Sequence, residues 1–511
     1  MNRQVGDLPH DLPKCICWPS PTNPFCDIDP EFLSVTLRQL FAVTKQSLSN
    51  HFMDNNVTSS SSALPRRDFI KKTAAAAAVV AATPLFKTPV YGQNQAPSPG
   101  RVIGANDRIG VAIVGVGFGI GQNHLVGIQE KASENNTQIV AASDVFNKRR
   151  NFAKDKASLK DADVYDDYRK MLDRKDIDAV LIATHDPLHA QISIDSLESG
   201  RHVYCEKPLT RYLGEAFQVH DTVKKTGKIF QAGSQGCSAG GYSKCAELIK
   251  AGKIGTLVWA QAWYSRNSLN GEWNYLVESE TKAENIDWER WLGPVKKRVP
   301  FSEEQFHRWR KYFPYCAGPL GDLAPHRLHP LMLATGGPEF PVRVCSIGTR
   351  NVHTDLQVPG TPEREVPEHA QLLAEFPSGL VIMVTCCTVN ASTPGLSLYG
   401  HKANLNIDAT GGKVELTPQR EFGDEIDPEN FTNLQPEEIR VHEKNWFDCI
   451  RSGKQPNANI DLAIRVQTVI SLAEMADRLK IACVFDEKTR KVSTDGNTPI
   501  TPITYGTLPS S

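Results

Sequence analysis

The sequence lacks two features that would directly indicate a nucleic-acid or membrane partner: an excess of charge of one sign and a long apolar run. Its 57 Lys and Arg residues nearly balance its 58 Asp and Glu residues, and the formal net charge is −1. This balance favours neither nucleic acid nor an anionic membrane surface as a partner. The apolar run at residues 73–86 falls well short of the ~20 residues that a spanning helix needs. Pro84 interrupts the run and no cysteine directly follows it, so we expect neither a spanning helix nor a lipid anchor.

Residues 1–104 are predicted to be a leader, an export signal and a linker. Arg66 and Arg67 stand shortly before the weakly hydrophobic run, which is typical of a twin-arginine signal, here at about residues 53–93. The alternative is an alanine-rich surface helix. The chain upstream of Met53 fits no export signal, so Met53 is a candidate start. We therefore expect the twin-arginine export machinery as a partner and a periplasmic, bacterial location.

A glycine-rich turn follows a short apolar run at residues 108–114, which predicts a buried strand, and a helix-like segment begins at about Asn123. Strand, turn and helix in this order form the phosphate-binding half of a βαβ unit. Glycines let the backbone approach a pyrophosphate, and a helix N-terminus carries partial positive charge. The third glycine of the usual spacing would fall at Ile120, so we expect a one-residue insertion. The turn residues predicted to bind the cofactor are Gly115, Gly117, Phe118, Gly119 and Gly121.

The next predicted strand, residues 138–144, ends in an acid. Asp144 stands where a carboxylate accepts hydrogen bonds from the adenosine ribose and repels a 2′-phosphate, which favours NAD over NADP. Arg149 and Arg150 follow closely and could reduce that preference, so NADP stays open as the cofactor.

A third strand and helix give the rhythm of a doubly wound parallel α/β sheet. The strand at residues 177–184 leads into a loop and a helix, and residues 201–205 form the next strand. Lys207 directly follows that strand, at the edge where open α/β sheets bind ligands, and Pro208 ends the regular pairing. A cis Lys207–Pro208 bond would aim the ammonium into the cleft. The alternative is an exposed charged pair before a turn.

Two segments carry a family resemblance. Residues 165–210 (YDDYRKMLDRKDIDAVLIATHDPLHAQISIDSLESGRHVYCEKPLT) and residues 318–329 (GPLGDLAPHRLH) resemble the glucose–fructose oxidoreductase / inositol dehydrogenase family, Gfo/Idh/MocA. The resemblance runs from about Arg108 to about Val492.

The resemblance implies an α/β fold with two domains. It places an N-terminal Rossmann dinucleotide-binding domain at residues 105–232 and an α/β domain with a large, mostly antiparallel open sheet at residues 233–440. Helices at residues 441–492 pack back on the Rossmann domain. It also implies a homo-oligomer formed through the sheet of the second domain.

The same resemblance assigns the site. Lys207 matches the catalytic lysine, and Asp322 and His326 match an Asp-x-x-x-His pair in which the histidine accepts a proton. Four residues apart, this pair would share one helix face. A zinc site built with His329 lacks a fourth ligand, so we expect no metal. Further cofactor contacts are predicted at Thr184, His185, His189, Glu206 and Lys207. Candidate substrate contacts are Gln235, Trp263, Arg308, Tyr312 and His329.

The expected function is that of an exported NAD(P)-dependent oxidoreductase. It would move a hydride to or from a secondary alcohol of a sugar, cyclitol or derivative, with a cofactor that either dissociates or stays tightly bound. The alternative is an NAD-dependent glycoside hydrolase of the same superfamily with tightly bound NAD. A non-catalytic binding protein is disfavoured because Lys207, Asp322 and His326 are all present.

Overall fold

The computed structural model describes residues 107–508, so the leader, twin-arginine signal and linker predicted within residues 1–104 lie outside the described residues. Two sheets organise the described part of the chain, a six-stranded and an eleven-stranded one. None of the helices between residues 107 and 508 combines the length and apolarity that crossing a bilayer requires.

Strands and helices alternate along the first sheet, with two consecutive helices between its first and second strands. In chain order they are β1 (Ile109–Val114), α1 (Ile120–Glu130), α2 (Ala132–Asn135), β2 (Thr137–Ser143), α3 (Asn147–Ala157), β3 (Val164–Tyr165), α4 (Tyr168–Leu172), β4 (Ala179–Ile182), α5 (Asp186–Glu198), β5 (His202–Glu206), α6 (Leu213–Thr226) and β6 (Phe230–Gly233).

This sheet is parallel, with the order β3-β2-β1-β4-β5-β6. Every residue of β1 is buried, as expected for an apolar strand covered by helices on both faces of the sheet. The chain moves outward from β1 in both directions, through β2 on one side and β4 on the other. A crevice for a ligand forms at such a reversal, outside the carboxyl ends of the strands.

The second sheet begins after a helix. In chain order the elements are α7 (Gly240–Lys250), β7 (Leu257–Ser265), α8 (Trp288–Leu292), α9 (Glu303–His307), α10 (Pro319–Asp322), α11 (Pro325–Ala334), β8 (Arg343–Thr349), β9 (His369–Glu375), β10 (Val381–Cys387), β11 (Ser397–Gly400), β12 (Ala403–Ile407), β13 (Val414–Pro418), β14 (Glu429–Phe431), α12 (Ile439–Ser452), α13 (Ile460–Leu479), β15 (Cys483–Asp486), β16 (Lys491–Thr494) and β17 (Pro499–Ile500).

The strand order of this sheet is β14-β13-β12-β11-β7-β10-β9-β8-β15-β16-β17, and its pairs are antiparallel except for β7 with β10. Helices α7, α11 and α13 pack against it. The predicted fold class, a Rossmann domain followed by a domain with a large and mostly antiparallel sheet, is confirmed.

The C-terminal segment joins both sheets. Helix α12 packs on α1 and β6 of the Rossmann domain, and α13 packs on both α6 and β8. The sequence predicts helices as far as residue 492, but the last helix ends at Leu479. The chain then forms β15, β16 and β17, which extend the edge of the larger sheet. The β-prone run at residues 483–486 carries that switch from helix to strand.

A glycine in helix α1 tests how tightly the first βαβ unit is packed, and a glycine in helix α6 serves as its control. A Cβ on Gly121, in the first turn of α1, would collide with the backbone carbonyl of Gly115, whereas a Cβ on Gly214 in α6 would meet nothing within 4 Å. We expect Gly121→Ala to lower the free energy of unfolding by about 1–3 kcal/mol. The control Gly214→Ala should leave it unchanged or raise it by up to ~1 kcal/mol. Urea unfolding of both variants measures the difference, and equal effects would contradict the packing described.

Candidate active site

The glycine-rich turn connects β1 to α1. Gly115 has a φ of +88°, in the region that favours glycine, and α1 begins at Ile120. Gly121 takes the close-packing role of the third glycine, because its Cα faces the carbonyl of Gly115. The predicted one-residue insertion therefore places that role at Gly121 instead of Ile120. A Cβ on Gly117 would meet only the Arg149 guanidinium, at 3.5 Å.

A cavity of about 620 Å³ opens above this turn, at the carboxyl ends of β1, β2 and β4. Its volume is in the range of small-molecule and cofactor sites. From the Rossmann domain it is lined by residues predicted to bind the cofactor, namely Gly115, Gly117, Phe118, Gly121, Asp144, Thr184 and His185. The second domain contributes the opposite wall, which includes Tyr275, Leu276, Trp291, Trp309 and Arg310. Phe118 is 80% exposed on the turn, a large apolar surface free to contact a ligand in this cavity.

Asp144 fixes the turn against the end of β2. Its Oδ2 accepts a hydrogen bond of 2.7 Å from the backbone N–H of Val116, and its Oδ1 accepts one of 2.9 Å from that of Phe146. The guanidinium of Arg149 lies over two neighbouring rings, 5.6 Å from the centroid of Phe146 and 4.7 Å from that of Phe306. The predicted acid and a stacked cation thus lie side by side at the adenosine end of a Rossmann crevice.

The end of β4 is closed by two histidines. His185 stacks on Trp291 with ring centroids 4.4 Å apart, and burial lowers its pKa to about 3, so the ring is neutral. The ring nitrogens of His189 lie 2.8 Å from the carbonyl oxygen of Pro208 and 3.1 Å from that of Thr184. His189 therefore ties the end of β4 to the segment after β5, outside the cavity wall. Gly119, the N-cap of α1, also lies outside it.

Lys207 reaches across the domain boundary. Its Nζ donates to the backbone oxygen of Asp322 at 2.7 Å and to the carboxylate Oδ1 of the same residue at 2.8 Å. Both side chains are more than nine-tenths buried. A lysine ammonium has three N–H donors, so one remains for another acceptor. The Lys207–Pro208 peptide bond is cis.

Asp322 receives two further donors. Arg310 Nε donates to Oδ1 at 2.8 Å, and Trp273 Nε1 donates to Oδ2 at 3.1 Å. Burial alone would raise the pKa of Asp322, but the charges of Arg310 and Lys207 outweigh it and hold that pKa well below its usual value. Asp322 is therefore a carboxylate that binds two cations at once.

His326 stands at the beginning of α11, while Asp322 ends α10, so the two do not share one helix as the four-residue spacing predicts. Pro325 starts the second helix and accounts for the break. The imidazole of His326 stacks on Tyr264 at 4.9 Å and has no hydrogen-bond partner among residues 107–508. The hydrogen-bond partners of Asp322 are Lys207, Arg310 and Trp273, and the His326 ring is not among them. Burial and the Lys207 charge lower the pKa of His326 well below its usual value, which leaves a neutral ring able to accept a proton.

The predicted substrate contacts lie mostly within the framework. Arg308 and Tyr312 both bind Glu304, at 2.8 and 3.2 Å, and Arg308 also donates to the backbone of residue 275. His329 Nδ1 lies 3.0 Å from a carbonyl of its own helix, at residue 325. Gln235 lies near Glu437 and partly offsets the burial that raises the pKa of that carboxyl.

Trp263 lies near the guanidinium of Arg327, 5.8 Å from the ring centroid, and its buried indole N–H has no partner in the described chain. Within residues 107–508 no group of three or more His, Cys, Asp or Glu side chains is arranged to hold a metal ion.

Glu206 points away from the cavity. Its Oε1 lies 2.9 Å from His124 Nε2, in the interior between α1 and the end of β5. Glu206 therefore binds His124 in the interior instead of facing the cavity, where it was predicted to contact a cofactor. Its neighbour in sequence, Lys207, binds Asp322.

Sequence reasoning missed Arg310 and Trp273, which complete the Asp322 site. Arg310 stands two residues after Arg308, one of the predicted substrate contacts. Both lie in residues 306–312 (FHRWRKY), which mix aromatic and cationic side chains. Its 4.1 Å stack on Trp309 and its bond to Asp322 distinguish it. Trp273 carries no motif, and only the fold brings its indole N–H to Asp322.

Two family models match the chain. The first, "Oxidoreductase family, NAD-binding Rossmann fold", matches residues 109–234, and the second, "GFO/IDH/MocA C-terminal domain", matches residues 291–406. Among curated proteins, the inositol 2-dehydrogenase of Salmonella paratyphi B is 27% identical over 249 residues, which are 48% of this chain and 70% of that protein.

Solved structures share the fold. An oxidoreductase domain protein from Kribbella flavida has a TM-score of 0.58 and 20% identity, covering 74% of this chain and all of its own. Levoglucosan dehydrogenase in complex with NADH and levoglucosan has a TM-score of 0.57 and 17% identity, covering 73% of this chain and 98% of its own.

The described part of the chain is thus an NAD-binding oxidoreductase, and its two domains match models of the GFO/IDH/MocA family. The match of both domains agrees with the site, because the cavity and the Lys207–Asp322 bond are each built from the two domains together. The glycine-rich cradle, with space where a Cβ on Gly117 would lie, fits the backbone approach of a dinucleotide.

Gly117 offers a test of cofactor binding that spares the fold. A side chain there would project beside Arg149 without meeting backbone, so Gly117→Val should fold normally while its side chain obstructs a nucleotide on the turn. We expect NADH binding, followed by fluorescence titration, to weaken at least 100-fold. The melting temperature without nucleotide should stay within a few degrees of that of the unaltered protein. Normal NADH affinity in this variant would contradict the location of the cofactor site.

Proposed function

We propose that this protein transfers a hydride between NAD and a secondary alcohol of a sugar, a cyclitol or a related polyol. The single observation that carries the proposal is the hydrogen bonding of the Lys207 ammonium. Two of its N–H groups donate to Asp322, and the third is available to a reacting oxygen. The neutral imidazole of His326 complements it within the same buried site.

A bound nicotinamide supplies the hydride acceptor or donor. Lys207 donates a hydrogen bond to the reacting oxygen and stabilises the negative charge that develops on it as the carbinol C–H bond breaks. His326 accepts the hydroxyl proton through its unpartnered ring nitrogen and returns it in the reverse direction. Asp322 and Arg310 keep the ammonium in place through their shared carboxylate contact.

The substrate class rests on the site and on the relatives together. One relative is an inositol 2-dehydrogenase and one structural neighbour was solved with levoglucosan, both ligands with ring hydroxyls. Tyr275, which lines the cavity and is 42% exposed, offers an aromatic face that suits such a ring. The comparisons give the alternative, a glycoside hydrolase, no support.

For the cofactor we propose NAD rather than NADP. Asp144 stands at the end of β2, where a carboxylate disfavours a 2′-phosphate, and the guanidinium of Arg149 lies over the rings of Phe146 and Phe306. Because walls from both domains enclose the cavity, slow release of the dinucleotide is the expected behaviour.

The assignment of catalytic roles is tested by substitution. Lys207→Met and His326→Gln should each lower turnover of a cyclitol or sugar by on the order of 10² or more, the usual range for losing a positioned acid–base group. NADH affinity should stay within a few-fold, because neither side chain lines the cavity. The control His353→Gln changes an exposed histidine and should keep full activity. Turnover near that of the unaltered protein in either catalytic variant would refute the role of that residue.

We further propose export by the twin-arginine route, supported by Arg66 and Arg67 before the short apolar run. Replacing both with lysine should keep the protein in the cytoplasm of a bacterial host, with its activity intact. Fractionation of the cells and immunoblotting give the readout, and periplasmic recovery of the doubly substituted protein would overturn the proposal.

A homo-oligomer formed through the larger sheet is also proposed. The strand pairing places the side chains of Trp259, Ile347 and Leu373 on one face of this sheet, where they are 37%, 69% and 49% exposed on strands β7, β8 and β9. Neighbouring exposed apolar side chains on one sheet support its use as an interface.

A further inference from the structure

A buried histidine links the nucleotide-binding helix to the strand that carries Lys207. His124 lies on α1 and is fully buried. Its Nδ1 is 2.6 Å from Glu443 Oε1 on α12, and its Nε2 is 2.9 Å from Glu206 Oε1 at the end of β5. Three elements that meet beneath the site are thus joined by one imidazole.

The geometry favours a charged ring. Two carboxylates face the two ring nitrogens, and only an imidazolium has a proton on each. A neutral ring would turn a lone pair toward one carboxylate. Burial alone would lower the pKa of His124, but its hydrogen bonds to Glu206 and Glu443 outweigh burial and raise that pKa to about 9.

The surrounding groups balance the charge. Arg440 on α12 donates from Nη1 to both oxygens of Glu443, at 2.6 and 2.7 Å. Two acids therefore face two cations. Tyr204 on β5 donates to Glu206 Oε1 at 3.4 Å, and its ring lies edge-on to His124 and to His442.

His442, also on α12, does not add charge. Burial lowers its pKa to about 4, and it hydrogen-bonds the backbone oxygen of Ala232 and the hydroxyl of Ser238. The ring is therefore neutral, and His124 is the histidine of this cluster that carries a proton on both nitrogens.

The cluster reaches Lys207 through Glu206. The backbone N–H of Lys207 lies 3.3 Å from Glu206 Oε2. A Cβ on Gly233 would lie 2.5 Å from Glu206 Oε1, so the carboxylate has little room to move. At the other end, His124 stands one turn after the glycine-rich turn that α1 continues. Any change in how Glu206 is held changes where the lysine backbone lies relative to the nucleotide.

We propose that His124, as an imidazolium, is a positioning residue that holds Glu206, and through it Lys207, in register with the nucleotide-binding turn. This inference rests on the proposed function, in which Lys207 contacts the reacting oxygen.

Substitution of the histidine and of one of its partners tests the proposal. His124→Gln cannot donate to both carboxylates, and we expect kcat to fall on the order of tenfold or more, as for small misplacements of a catalytic group. NADH affinity should stay within about threefold.

Glu443→Gln keeps an acceptor but removes a charge, so the pKa of His124 falls and the alkaline loss of kcat begins about one pH unit lower. The matched control is His353→Gln, which breaks an exposed His–Glu pair of the same 2.6 Å length and should change neither quantity.

Stability gives a readout independent of turnover. A group whose pKa is raised on folding contributes stability that is present below about pH 6.5 and lost as the pH rises through about 9. The melting temperature of the unaltered protein should therefore fall across that window more than that of His124→Gln. Unchanged kcat in His124→Gln, or an alkaline limb that stays in place in Glu443→Gln, overturns the positioning role. Failure of the proposed function looks different, because turnover would then not depend on Lys207 at all.

Discussion

The site depends on one buried carboxylate that two cations share. Asp322 Oδ1 accepts from Lys207 of the Rossmann domain and from Arg310 of the second domain, each at 2.8 Å. A buried ion pair costs desolvation, and removing one partner is expensive because the other charge is left unpaired. With two cations for one carboxylate and Trp273 on its other oxygen, the arrangement fixes the ammonium while leaving it one free N–H. Arg310, which lines the cavity, connects it to this contact, where the domain boundary and the proposed chemistry meet.

The two domains supply complementary parts of the site. The Rossmann domain provides the glycine-rich turn, Asp144 and the lysine, each at the carboxyl end of a parallel strand. The second domain provides the opposite wall of the cavity, the histidine and the carboxylate. Beneath them, His124 ties α1, β5 and α12 together through two carboxylates. Asp322 thus binds the ammonium of Lys207, and Glu206 binds its backbone N–H.

The parts of the site that could be predicted are local in sequence. The turn from Gly115 to Gly121, Asp144 at the end of β2 and Lys207 after β5 follow from strand ends, and the structure places them near the predicted crevice. The parts that could not be predicted depend on contacts far apart in the chain. Arg310 and Trp273 reach Asp322 only through tertiary packing. The four-residue spacing of Asp322 and His326 was misleading because Pro325 begins a new helix between them.

The most direct test of the account is an experimental structure of the protein with NADH and a bound cyclitol or sugar. One hydroxyl oxygen of the ligand should lie about 2.7–3.2 Å from Lys207 Nζ and within hydrogen-bond reach of His326. Lys207 should keep both of its bonds to Asp322. A polyol whose oxygens contact neither side chain, or a lysine that leaves Asp322 when the ligand binds, would contradict it.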